Sequence, residues 1–221
     1  MHTFLAGYVA EARRRGDPNP VPLLATTNYD DALERAFNAE QQSFDVLAYI
    51  ADGPDRGKFS HISPDGERIV PTDPLRYAGM RTEERPTILK LHGTISEPSW
   101  ESESFVISEG HYVDYLTTDV WRAIPFQTVR VLGSNHLWFL GHAMRDWNLL
   151  VVLRRLGALP ARRRAWAVQL NPDRVDEMRW ERENVDLIAI DLVSPALSSL
   201  RNCGMLWHAT NWTSQTGVGV E

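Results

Sequence analysis

LLATTNYDDALERAF, from Leu23 to Phe37, decides how the rest of the chain is read. The apolar run Leu23-Leu24-Ala25 stops at Thr26-Thr27-Asn28-Tyr29-Asp30-Asp31, and a helical pattern begins at once with Leu33, Ala36 and Phe37 on one face. A buried strand that hands a polar tip directly to a helix is the unit of an α/β sheet. In such sheets ligands bind outside the carboxyl ends of the strands.

The unit recurs along the chain. FDVLAYI (44–50) reads as a second strand and TILKLHG (87–93) as a third. SFVISEGHYVDYL reads as a short strand entering a helix, and a further helix is expected around Val120 to Val131. Leu137 to Leu140 is a strand followed by the turn Gly141-His142-Ala143 and a helix carrying Trp147, Leu150, Val151 and Arg154. AWAVQLNPD repeats the design, with Asn171 expected as helix cap and Pro172 at the first helical position. VDLIAIDL is expected to be a last buried strand. Residues 51–85, rich in Gly, Pro, Asp and Arg, form a loop-rich insertion in which SPDG (63–66) turns a small hairpin. Phe4, Leu5, Tyr8, Val9 and Ala12 mark an amphipathic first helix. The expected fold class is therefore α/β, a doubly wound and mostly parallel sheet with helices on both faces. One domain is expected over 1–221, with a tail from Ser194.

Composition narrows the function. The 43% hydrophobic and 24% charged residues are ordinary for a globular chain, and no apolar run reaches membrane-spanning length. MHTFLAGYVAEARRR carries its positive charges after its apolar part, so it makes a poor signal peptide, and a cytoplasmic location is the default. A net charge of -6 argues against nucleic-acid binding as the main activity; the arginines between Arg154 and Arg164 read as a solvated helix end and loop. Cys203 stands alone and excludes a disulfide framework or a multi-cysteine zinc cluster, so no metal is expected. Lys58 and Lys90 are the only lysines against many arginines.

Four polar strand tips form the constellation: Thr27-Asn28-Tyr29-Asp30, His92-Gly93, Gly141-His142 and Asn171. Taken singly these are caps and surface turns. Parallel strands, however, bring their carboxyl ends to one edge.

TTNYD, then LKLHG, YVDYL, FLGHAMRDWNLL and a strand ending in LN resembles, in this order, the sirtuin-like NAD-hydrolase domains of bacteria, many of them effectors of anti-phage defence. The resemblance covers about Leu23 to Leu192 and implies a Rossmann-like, sirtuin-type fold. It implies that Asn28 and His92 are the catalytic pair and that Asp30 holds the nicotinamide carboxamide. Thr27 and Gly93 would line the same pocket, while Gly141, His142 and Asn171 would serve the adenosine side. NAD is then the substrate, and a second module, a partner protein or further copies of the chain are expected beside it. Such chemistry passes through an oxocarbenium-like centre. An imidazole suits the proton transfer, and an asparagine suits holding water or the sugar edge.

Three departures stand beside the resemblance. Ala143 replaces a serine usual in the family's turn, and the four-cysteine zinc module of the sirtuin deacetylases is absent, which weighs against a protein deacylase. The family also opens with a strand and a glycine-rich, phosphate-cradling turn. Before Thr26 this sequence has only a helix and GDPNPVP. Either the start is cut away, or the phosphates are held otherwise, or NAD binding is lost. The alternative function is thus a degenerate, non-catalytic nucleotide-binding or interaction module, and a weaker alternative is a sirtuin-type NAD-dependent protein deacylase without zinc, for which no acyl-peptide groove is recognisable in the sequence.

Overall fold

The structure is a computed structural model and describes residues 1–16, 22–95, 104–106, 108–117, 123–141 and 164–190. Strands β1 (Leu23–Thr26), β2 (Asp45–Tyr49), β3 (Phe59–Ile62), β4 (Arg68–Ile69) and β5 (Thr87–Lys90) form one sheet in the order β1-β5-β2-β3-β4. β1, β5 and β2 run parallel, with Leu23 and Asp45 both in register with Thr87. β3 and β4 add an antiparallel hairpin whose turn closes through Gly66 N–H to the Ser63 carbonyl at 2.9 Å, as SPDG foretold. Short β6 (Gly93–Thr94) and β7 (Ser104–Phe105) pair antiparallel, and β8 (Leu137–Leu140), β9 (Ala165–Gln169) and β10 (Asp186–Ala189) form a second, parallel sheet in the order β10-β9-β8.

Side chains alternate across a strand, so each strand feeds two cores. Leu24, Val46 and Ile88 point to one face, where helices α1 (His2–Arg14) and α2 (Ala32–Ala39) cover them with Leu5, Ala6, Val9, Leu33, Ala36 and Phe37. Leu47, Tyr49, Leu89 and Leu91 point to the other, under Tyr115 of α3 (Glu109–Thr117), Ile124, and Leu132 of α4 (Phe126–Ser134). Both faces are covered and the first three strands are parallel. This is the doubly wound α/β arrangement that the alternating pattern predicts. Leu140 packs against the α1–α2 core, which joins the second sheet to the first.

Three expectations change. The helix expected around Val120–Val131 is interrupted within the described residues: Ala123 is helical, but Pro125 has no N–H to give a helix interior and stands at the N-cap of the helix that begins at Phe126. Asn171 does not cap the helix of its segment: it lies at φ 46°, in the left-handed region, and Pro172 precedes the helix. The cap of α5 (Arg174–Arg182) is Asp173, which accepts the Asp176 amide at 2.8 Å while the Asp176 carboxylate accepts the Asp173 amide. Gln169 secures this box by donating to Asp176 at 2.8 Å and accepting from Trp180 at 3.2 Å. Finally, β10 is largely exposed rather than buried, since among the described residues it pairs on one side only. Ala143, Asp146, Trp147, the arginines before Arg164, the tail from Ser194 and Cys203 lie outside the described residues.

At the amino edge of the first sheet a polar network lies inside the protein. Asp45 is fully buried and accepts from His61 Nε2 at 3.0 Å, Arg85 Nη2 at 2.9 Å and Arg85 Nε at 3.1 Å. Tyr77 sits 2.6 Å from His61 Nδ1. Burial and the charges of Asp45 and Glu67 push the Tyr77 hydroxyl up, so it keeps a proton to donate to Nδ1, and His61 Nε2–H then donates to Asp45. His61 in β3 and Arg85 at the end of the insertion are thereby fastened to the first residue of β2.

Candidate functional site

The parallel pairing of β1 with β5 carries the polar segments that follow them to one edge. Thr26 is in register with Lys90, and the Leu91 amide donates to the Thr26 carbonyl at 2.9 Å, so Thr27-Asn28 and Leu91-His92 leave the sheet side by side. Thr26 Oγ1 then accepts the Asn28 amide at 3.0 Å, a short hydroxyl turn that bends the chain out of the strand. Asp30 Oδ1 accepts the Ala32 amide at 3.0 Å and opens α2. The Ile95 amide donates to the Tyr29 carbonyl at 2.9 Å, tying the two segments again beyond the sheet. Asn28 and Asp30 are exposed and Thr27 is half-buried, so the β1 side of this edge offers an amide, a hydroxyl and a carboxylate to solvent.

The β5 side is different. His92 is only 3% exposed, its carbonyl accepts the Val106 amide at 2.8 Å, and its ring stands edge-on to Tyr115 at 5.4 Å and 89°. Tyr115 in turn packs edge-on to Tyr49 at 4.9 Å. This aromatic line fixes the imidazole plane from the α3 side. Burial pushes the Tyr115 hydroxyl far above the ordinary phenol range, helped by Tyr49, and that hydroxyl is buried without a partner among the described residues. Gly93 follows His92 at φ 90°, buried, where any other residue would be strained, and it pairs at once with Phe105. Asp52 Oδ1 meets His111 Nε2 at 3.3 Å and Arg56 meets Asp114 at 2.9 Å, so the start of the insertion is strapped to α3 beside the same edge.

Lys90, which the sequence reading noted only as one of two lysines, is fully buried at the end of β5. Its ammonium donates to the Asp30 carbonyl at 2.6 Å, Glu34 Oε1 at 2.7 Å and the Tyr29 carbonyl at 3.3 Å. The signal was present in TILK, whose four residues are all buried, because a charge inside such a run requires partners.

The adenosine-side candidates gather on the second sheet. Gly141 follows β8 at φ 68°, exposed, and donates its amide to the Val168 carbonyl at 3.0 Å; Asn171 follows β9, also exposed. The structure thus groups Thr27, Asn28, Asp30, His92 and Gly93 at one edge, and Gly141 with Asn171 at the ends of two paired strands. His142 lies outside the described residues. Among the described residues no cluster of three or more His, Cys, Asp or Glu could hold a metal ion, and no helix is long and apolar enough to cross a membrane.

Comparison with known proteins adds a family. No curated protein matches the chain. The family model for the SIR2-like domain matches residues 22–188, a span that begins just before β1 and ends in β10. SIR2-like domains bind NAD. The match includes every element that builds the polar edge from β1 to α3, and on it the chain belongs to the SIR2-like domain family.

Proposed function

We propose that the protein cleaves NAD to nicotinamide and ADP-ribose, as an NAD-depleting effector of anti-phage defence that works with further copies of itself or with a second module. The observation that carries this reading is the pairing of β1 with β5, which sets Asn28 and His92 on neighbouring strand ends in a SIR2-like domain. In the reaction the bond between C1′ of the ribose and the nicotinamide nitrogen breaks, and its electron pair leaves with nicotinamide, which departs neutral. Water adds to C1′ and gives up a proton. His92 is the group suited to take that proton, and Tyr115 holds its ring edge-on. Asn28 donates and accepts at the water or the ribose edge, and Asp30 uses the oxygen left free by Ala32 to hold the carboxamide. Thr27 and Gly93 line the pocket, and Gly141, His142 and Asn171 meet the adenosine half.

The alternative, a non-catalytic nucleotide-binding module, is favoured by the burial of His92, which is only 3% exposed at the edge where Asn28 and Asp30 face solvent. Calorimetric titration with NAD, run beside chromatography of the products, separates the two. Equimolar nicotinamide and ADP-ribose support the hydrolase; binding without product supports the module and overturns the proposal.

A further inference from the structure

We propose that Lys90 is a positioning residue for the candidate site, an internal clamp that holds the segment carrying Asn28 and Asp30 against the strand carrying His92; this rests on the reading above. The three N–H donors of the ammonium meet three acceptors, and all three belong to the chain just after β1: the carbonyls of Tyr29 and Asp30 and the carboxylate of Glu34 in the first turn of α2. Lys90 itself lies two residues before His92. One side chain therefore bridges the two halves of the proposed catalytic pair.

Stability alone is a poor explanation for it. Taking an ammonium and a carboxylate out of water is costly, and the attraction repays that only where the remaining oxygens are also satisfied. Here they are not, since among the described residues the buried Glu34 Oε2 has no hydrogen-bond partner. The neighbouring core positions on the same face, Ile88 and Val46, show that an apolar side chain fits this layer. What the charge supplies, and an apolar residue would not, is a fixed donor for two backbone carbonyls next to Asn28. A displacement of about 1 Å at a reacting group is enough to lower turnover about a hundredfold.

The test compares three variants of the full chain by nicotinamide release, urea unfolding and deuterium exchange of the amides from Thr27 to Leu33. Lys90→Met strands the Glu34 charge and is expected to lower the urea midpoint and turnover together. Lys90→Met with Glu34→Met removes both charges; the urea midpoint returns to the wild-type value, kcat stays about 10- to 100-fold down, KM moves less than kcat, and exchange over residues 27–33 stays at least about tenfold faster than in wild type. Glu34→Met alone strands the ammonium and lowers the urea midpoint as well, but it keeps both carbonyl bonds and retains turnover to within about threefold. If the double variant regains turnover and exchange protection along with stability, Lys90 is only half of a structural ion pair and the proposal is overturned. Loss of turnover in Glu34→Met equal to that of Lys90→Met overturns it as well, and this arm decides if the double variant does not fold. A wild-type chain that cleaves no NAD would refute the hydrolase reading alone, because the exchange measurement still tests the clamp.

Discussion

Replacing Asp45 by Asn should show how strongly the insertion is bound to the sheet. Asp45 is fully buried, and its two oxygens accept three bonds, one from His61 and two from Arg85. An amide of the same shape keeps one acceptor, presents a donor where the other stood, and leaves the guanidinium without a counter-charge. Breaking one partner out of a buried pair costs about 3 to 5 kcal/mol, and since Arg85 is 26% exposed and keeps some water, about 3 kcal/mol is expected. With a urea slope of about 2 kcal/mol/M, the midpoint should fall by about 1.5 M at pH 7. The pH dependence gives a second check. Burial raises the Asp45 carboxyl, but the bonds and charges of His61 and Arg85 more than reverse this and hold it below the ordinary 3.8. A depressed carboxylate contributes its stability in full above the unfolded value and loses it as pH falls through the folded one. The gap between wild type and Asp45→Asn should therefore be widest near neutrality and close on acidification below about pH 4. A midpoint shift under about 0.5 M at pH 7, or a gap that persists unchanged into strong acid, would refute this account of the network.

Other outcomes follow from single residues. Tyr115→Phe keeps the ring against His92 and removes a buried hydroxyl that has no partner among the described residues, so stability should hold or rise by about 1 kcal/mol and nicotinamide release should be retained; a large loss of turnover would give that hydroxyl a chemical role. Asp173→Ala dissolves the capping box of α5 and should cost about 1 kcal/mol in urea unfolding, whereas Asn171→Gly, which leaves that box intact and keeps the left-handed backbone at φ 46° open, should cost under about 0.5 kcal/mol. Phe37→Ala empties a fully buried position between α2 and the sheet and should cost about 3 to 5 kcal/mol by the same measurement.

Much of the architecture was legible because strands and helices announce themselves through local pattern. Leu23-Leu24-Ala25 and the Leu33–Phe37 face belong to a strand and a helix whatever the rest of the chain does, and parallel pairing then carries Asn28 towards His92. The cap of α5 was misjudged since Asn171 and Asp173 are both good caps in isolation, and Gln169 and Asp176 decide between them through contacts that only the fold creates. Lys90 and Asp45 were missed for the same reason. The partner of Lys90 is 56 residues away at Glu34, and Asp45 meets Arg85 at a separation of 40. Periodicity reports that a position is buried but not what a charge there will meet.

The central claim concerns Asn28 and His92, and the measurement that reaches it most directly is nicotinamide release from NAD by the wild-type chain beside Asn28→Ala and His92→Ala, each checked for folding by urea unfolding. Asn28 is exposed, so its variant should fold like wild type, and each change should lower turnover by about 10² to 10⁴. Wild-type turnover that vanishes in both folded variants is the predicted result; full turnover in either would contradict the assignment of the pair.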